Sequence, residues 1–326
     1  MSLAVAEPPA KRSRHDATGP PRTSDMMAPI MLLEGHEAAV NCLKFDPSGR
    51  YLATGSNDKS IFLWNVYGEC ENFNVLEGHK NAILDLEWNR SGSKIVSASA
   101  DKTVGVFDAN RGKRLKKYSP GSVVNSVNLS RGDEPLLVSG GDDGKAMVWD
   151  LRSRHSVQTV EGKFPVTACA LSADDELIFT GSTDNVVKAW DRRSEAVVFT
   201  LEGHADTITG MSLSPDGASL LTNSMDKTLI SWDVRPFVTG SRFDKQFEGA
   251  QHNLEKTLLK CSWSADGEMV SCGSSDHVVH IWDVPTGEEL YHLPGHAGSV
   301  NEVAFHPTEP ILGSCGSDKK VYLGEL

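Results

Sequence analysis

Ser224-Met225-Asp226-Lys227-Thr228-Leu229-Ile230-Ser231-Trp232-Asp233 is one of seven close variants of the same stretch, and its spacing decides the fold. In every copy an Asp stands six residues before a large or chain-terminal position: Asp58 and Trp64, Asp101 and Phe107, Asp143 and Trp149, Asp184 and Trp190, Asp226 and Trp232, Asp276 and Trp282, Asp318 and Gly324. Three residues after the Asp come Ile61, Val104, Ala146, Val187, Leu229, Val279 and Val321, and five after come Leu63, Val106, Val148, Ala189, Ser231, Ile281 and Leu323. Side chains alternate along a strand, so these two positions share one face. Successive Asp residues lie 43, 42, 41, 42, 50 and 42 positions apart, a period that suits a four-stranded propeller blade.

A Gly-His pair precedes the strand in four copies (Gly35-His36, Gly78-His79, Gly203-His204, Gly295-His296), and Trp-Asp closes four (Trp149-Asp150, Trp190-Asp191, Trp232-Asp233, Trp282-Asp283). Both halves of this signature resemble the WD-repeat family, and the resemblance covers residues 28–326. It implies an all-β fold, a seven-bladed WD40 β-propeller. Residues 29–36 supply an apolar strand with no partner copy upstream, whereas residues 296–326 supply only three strands. The N-terminal strand is therefore expected to complete the C-terminal blade, which removes the free sheet edges of an open array.

Residues 1–27 are rich in Pro, Ala, Ser and charge without apolar periodicity, and are expected to form a disordered tail. Within it Lys11, Arg12 and Arg14 make a short basic cluster suited to an import receptor, which points to the nucleus. The tail carries four basic and three acidic side chains, so the net charge of −12 leaves −13 on the repeats. A surface of that sign opposes phosphate-driven nucleic-acid binding. The six cysteines include no Cys-x-x-Cys pair and read as small buried hydrophobes. No apolar run approaches the roughly 18 residues that span a bilayer, and Glu7, Pro8 and Pro9 interrupt the N-terminal stretch, so a soluble intracellular protein without membrane contact is expected.

His, hydroxyl and Asp recur in the repeats, and copies one (His36, Thr54, Asp58, Trp64) and five (His204, Thr222, Asp226, Trp232) hold complete sets. A catalytic triad occurs once on a scaffold, whereas this set recurs at blade period. In the WD-repeat family such residues resemble a structural hydrogen-bonded tetrad. It is degraded elsewhere: Phe107 lacks an N–H, Cys272 replaces the hydroxyl, Pro120 replaces the His, and Gly324 ends copy seven. No phosphate-binding loop, His-Glu-x-x-His or paired-Cys motif appears. No catalysis, cofactor, metal or small-molecule substrate is therefore expected.

Function is expected instead on the perimeter. The residue before each tetrad Asp, including Asn57, Asp142, Thr183, Met225 and Ser275, sits in the turn that the family resemblance places on one rim, and varies while its neighbours do not. Copy six carries about eight extra residues, placed within 235–259, as a candidate contact loop. Ala28 to Glu37, Leu63 to Asn72, Trp232 to Phe237, His252 to Ser264 and Leu293 to Pro307 resemble the WD-repeat proteins of the U5 small nuclear ribonucleoprotein. That resemblance implies a non-catalytic scaffold in pre-mRNA splicing, with a Prp8-type scaffold protein and other U5 proteins as partners and the U5 RNA nearby. An alternative is a substrate receptor of a cullin-4 ubiquitin ligase, because Arg152, Arg193 and Arg235 complete boxes that resemble W-D-x-R and offer a fork for a partner carboxylate.

If Trp232 is a core anchor, Trp232→Ala lowers stability by about 3–5 kcal/mol. Equilibrium urea unfolding measures the difference, and an unchanged midpoint contradicts the assignment.

Overall fold

The computed structural model describes residues 23–132, 135–253 and 257–326. Lys11, Arg12 and Arg14 lie outside them. Among the described residues 28 strands form seven four-stranded antiparallel sheets, and no helix is present. In blade one the strands run Val40–Phe45, Tyr51–Ser56, Ile61–Asn65 and Asn72–Leu76 from the inside of the ring outward, and the other blades repeat the plan. Because each strand reverses the last, the turn after the second strand and the link between blades lie at one end of the ring. The turns after the first and third strands lie at the other.

A single sheet cannot bury both faces, so each blade lays one on its neighbour. Cys42, Ala53, Ile61, Leu63 and Leu76 of blade one pack against Ile83, Leu86, Trp88, Ile95 and Phe107 of blade two, all buried. Apart from Ser231, the two positions three and five residues after each Asp fall in these interfaces, which explains their apolar character. All six cysteines are buried and free.

The ring closes where the sequence places it. Ile30–Leu33 pairs antiparallel with Val321–Glu325, setting Ile30 opposite Gly324 and Leu33 opposite Val321. The blade so completed packs Leu33, Val321 and Leu323 against Val40, Leu43 and Leu52 of blade one. The expected tail is shortened at its end. Thr23 and Ser24 donate backbone N–H to Glu325 Oε1 (3.0 and 2.5 Å), and Met26 is buried in the same core.

The inserted residues also fall differently from the single loop expected. Residues 234–242 lengthen the outer hairpin of blade five, where blades three and four have 151–155 and 192–196. Residues 249–260 lengthen the link to blade six at the opposite end of the ring. The first holds Phe237, 96% exposed and in the left-handed region (φ 60°). At the start of the second, Gln251 meets the turn of blade six, its O accepting the Ser275 N–H at 2.8 Å. One numerical excess over the repeat period hides two separate insertions.

A chain beginning at Met27 loses the Met26 packing and the Glu325 contacts, and one beginning at Gly35 also loses the closing strand. Melting temperature is expected to fall at both steps, by more at the second. Equal melting curves for the two truncations contradict the closure.

Candidate interaction surface

The complete tetrads form one-way hydrogen-bond chains. Trp64 Nε1–H donates to Thr54 Oγ1 (2.9 Å), Thr54 Oγ1 lies 2.8 Å from His36 Nε2, and His36 Nδ1 lies 2.7 Å from Asp58 Oδ2. The indole can only donate and the carboxylate only accept, so the threonine hydroxyl donates to Nε2 and the imidazole carries its proton on Nδ1. Blade five repeats this with Trp232, Thr222, His204 and Asp226 at 2.8, 2.8 and 3.0 Å. Every member is thereby occupied, and none is left as a free nucleophile or base.

The Asp does a second task. Its other oxygen accepts the N–H two residues on, Ser60 in blade one (3.0 Å) and Thr228 in blade five (2.9 Å). Between them the chain turns through the left-handed region at Lys59, Lys102, Gly144, Asn185, Lys227, His277 and Lys319, with φ between 68° and 77° in every blade. Such a conformation is unfavourable for a residue with a Cβ. The carboxylate that bridges the turn offsets the cost, which is why the Asp survives in all seven copies while the other members are replaced.

The worn blades find other partners. In blade two His79 keeps Ser97 (2.7 Å) and Asp101 (3.0 Å), and Phe107 packs beside the ring without an N–H. In blade four Lys188 Nζ meets Asp184 at 2.5 Å, supplying the positive partner that the missing His cannot. In blade six Cys272 cannot take the Trp282 indole, which donates to Glu248 O instead (3.1 Å). In blade seven Tyr322 stands edge-on to His296 and donates to Gly295 O at 3.1 Å.

A second device stitches blades together at the inner strands. In six of the seven the register shifts one residue in from the start, and such a bulge re-aims the extra residue. Asn41 Nδ2 reaches Ile83 O (2.7 Å), Asn125 reaches Val166 O (3.0 Å), and Asn301 reaches Val40 O (2.7 Å) across the closure. The central channel, about 650 Å³, is crossed by the protein's own charges. Lys44 pairs with Glu302 at 2.8 Å, Lys260 of blade six pairs with Asp85 of blade two, and Arg131 of blade three donates to Ser214 O (2.6 Å) and Leu213 O (2.8 Å) of blade five. Burial alone would depress Lys260, but Asp85 and Glu302 hold it above the ordinary lysine range. Losing one member of such a pair typically costs 3–5 kcal/mol, so the channel is braced from within.

The residues expected to form one binding rim lie at two opposite ends of the ring. Asn57, Asp142 and Thr183 are exposed in turns beside the tetrad Asp residues. Met225 and Ser275 share that end but are half-buried, and the Ser275 hydroxyl donates to Gln251 O (2.8 Å). Arg152, Arg193 and Arg235 follow the third strand and lie at the other end. Arg152 pairs with Asp150 at 2.9 Å, Arg235 pairs with Asp233 at 2.5 Å, and Arg193 pairs with Glu176 at 2.6 Å. Each guanidinium meets a carboxylate of this chain while its side chain stays largely exposed. The link from blade five adds His252 to the first end, where burial pushes its imidazole down to about 4. No motif marked it in the sequence.

Burial lowers His36, His79 and His296 below the ordinary imidazole value, against the opposing pull of Asp58, Asp101 and Asp318. Burial would raise Asp101, but hydrogen bonds from Thr103, the Lys80 N–H and His79 outweigh it and hold the carboxyl at about 2. For each depressed His the unfolded chain takes up a proton near pH 6.5 while the folded chain does not, so stability present above that pH declines as pH falls. For Asp101 the loss continues in the same direction from about pH 3.9 to about 2. The melting temperature is therefore expected to fall steadily from pH 7.5 to pH 3, and a flat profile between pH 7 and 4.5 contradicts the neutral buried imidazoles.

Comparisons with known proteins agree with this geometry. The family model described as "WD domain, G-beta repeat" matches residues 27–65, and that described as "IFT122 first beta-propeller" matches residues 68–323. The β-propeller domain of Myceliophteria_thermophila Cps50 (Swd1) superposes with a TM-score of 0.80 at 20% identity, covering 90% of this chain and 98% of that one, a likeness of fold alone. The U5 small nuclear ribonucleoprotein 40 kDa protein of Mus musculus is 52% identical over 309 residues, 94% of this chain and 86% of its own. That of Dictyostelium discoideum is 50% identical over 94% of this chain and 87% of its own. The pre-mRNA-splicing factor cwf17 of Schizosaccharomyces pombe is 43% identical over 94% and 90%. With 94% of the chain aligned to each of these relatives, the chain belongs to the family of the U5 small nuclear ribonucleoprotein 40 kDa protein, within the WD-repeat propellers.

Proposed function

We propose that this chain is a non-catalytic scaffold of the U5 small nuclear ribonucleoprotein that acts in pre-mRNA splicing in the nucleus. The observation that carries the reading is the 52% identity across 94% of the chain to a protein named for that particle. The relative named as a pre-mRNA-splicing factor supports the same assignment. The internal hydrogen-bond chains support a role in binding rather than turnover, since recurrent His, hydroxyl and Asp groups are engaged with one another.

A Prp8-type scaffold protein and other U5 proteins are the proposed partners. Docking is assigned to the end of the ring that carries Asn57, Asp142, Thr183 and the link 249–253. There the exposed side chains stand on turns fixed by the Asp residues, so binding loses little loop entropy. The net charge of −12 opposes a direct grip on the U5 RNA backbone and favours a protein partner with basic groups.

Affinity capture from nuclear extract tests the proposal. The wild-type chain is expected to retain U5 proteins. The triple variant Asn57→Arg, Asp142→Lys, Thr183→Lys is expected to lose at least tenfold of them while still unfolding in one cooperative transition, at a somewhat lower temperature because Asn57 and Asp142 accept bonds from Asn41 and Asn125. The variant Arg152→Ala, Arg193→Ala, Arg235→Ala is expected to capture as the wild type does. Recovery of a ligase adaptor without splicing proteins, or loss of capture in the arginine variant alone, contradicts the assignment.

A further inference from the structure

Blade six replaces its tetrad histidine from an unusual direction. In blades one, two, five and seven the imidazole facing the turn Asp comes from the Gly-His of the preceding link, but here that link reads Gly249-Ala250. Asp276 is met instead by His280 of the third strand, whose Nε2 lies 2.8 Å from Asp276 Oδ2 and whose Nδ1 lies 2.5 Å from Glu289 Oε1. Directly across the strand pair stands His292, its ring edge-on to His280 with centroids 5.0 Å apart. One donor atom from each of Asp276, His280 and His292 falls within 4.8 Å of the others. The corresponding cross-strand pairs elsewhere, such as Phe62 with Val75 and Ile230 with Gln246, offer no such set.

Both ring nitrogens of His280 lie at hydrogen-bond distance of a carboxylate, and a metal ion taking the place of the proton between Nε2 and Asp276 would have both as ligands. His280 is buried and stacked on Trp282, with 15° between the rings, so its direction is fixed. A carboxylate on the far nitrogen is the outer contact that orients metal-bound histidines. Zinc–nitrogen bonds of about 2.1 Å set tetrahedral donor separations of about 3.4 Å. His292 is exposed on the outermost strand, and its donor atom lies within 4.8 Å of those of Asp276 and His280. We infer that Asp276, His280 and His292 form a surface site for a divalent transition metal of the zinc class, with Glu289 holding His280 in register and the fourth position open. No spacing motif marks it, because register across a hairpin brings the two histidines together.

Titration of the full-length chain with zinc chloride by calorimetry, and with cobalt chloride by visible absorption, tests the site. One equivalent of zinc is expected to bind and raise the melting temperature, and cobalt is expected to give the intense bands of a low-coordinate ion. His292→Ala and His292→Gln, which alter an exposed side chain, are expected to weaken zinc at least tenfold while leaving the metal-free melting temperature unchanged. The six buried cysteines do not compete in the folded chain. Absence of zinc binding, or the same affinity in wild type and both His292 variants, overturns the inference.

Discussion

Everything in this ring depends on the pairing of Ile30–Leu33 with Val321–Glu325. Each of the other sheets is continuous in sequence and packs on a neighbour made a few residues earlier or later. The last blade alone requires the two ends of the chain to meet. When they do, Leu33, Val321 and Leu323 cover Val40, Leu43 and Leu52, and Asn301 reaches Val40 O. Seven interfaces then support one another, and no sheet face between blades is left without a packed neighbour. Closure costs chain entropy once, and that cost grows slowly with the length enclosed.

A closed ring explains why the tetrads can decay. The loss of one buried hydrogen bond costs about 1–3 kcal/mol, a modest fraction of what an interface of ten buried apolar side chains supplies. Phe107 and Cys272 stand where such losses have been absorbed, and Lys188 and Tyr322, each four residues after the turn Asp on the third strand of its blade, show local substitutes. The turn Asp is different because it holds a left-handed residue in place as well as facing the imidazole. The channel charges add transverse braces between blades two and six and between blades three and five. The result is a rigid frame with variable residues at its turns, a form suited to holding macromolecules in fixed relation.

Blade number and closure were legible in the sequence from the spacing of the repeats, and the propeller architecture and the tetrad sets from the resemblance to WD repeats that this spacing carries. What was hidden depends on distance across the fold. Asn57 and Arg152 lie at opposite ends because one follows the second strand of a blade and the other the third, and counting from the Asp alone does not separate them. The excess of residues around 235–259 divides between two ends for the same reason. Met26 looked like tail because one apolar residue has no periodicity, yet it fills a gap beside the closing strand. Lys260 and Asp85 are 175 residues apart, and only the curvature of the ring brings them together.

The most direct measurement is hydrogen exchange at the backbone amides of residues 30–33 and 321–325 in the native full-length chain. The amides hydrogen-bonded between these two strands are expected to exchange as slowly as those hydrogen-bonded between 228–233 and the outermost strand 243–248 of blade five, since all belong to one cooperative ring. Exchange at loop-like rates in the terminal pair, with blade five still protected, contradicts the closure on which the rest of the structure is built.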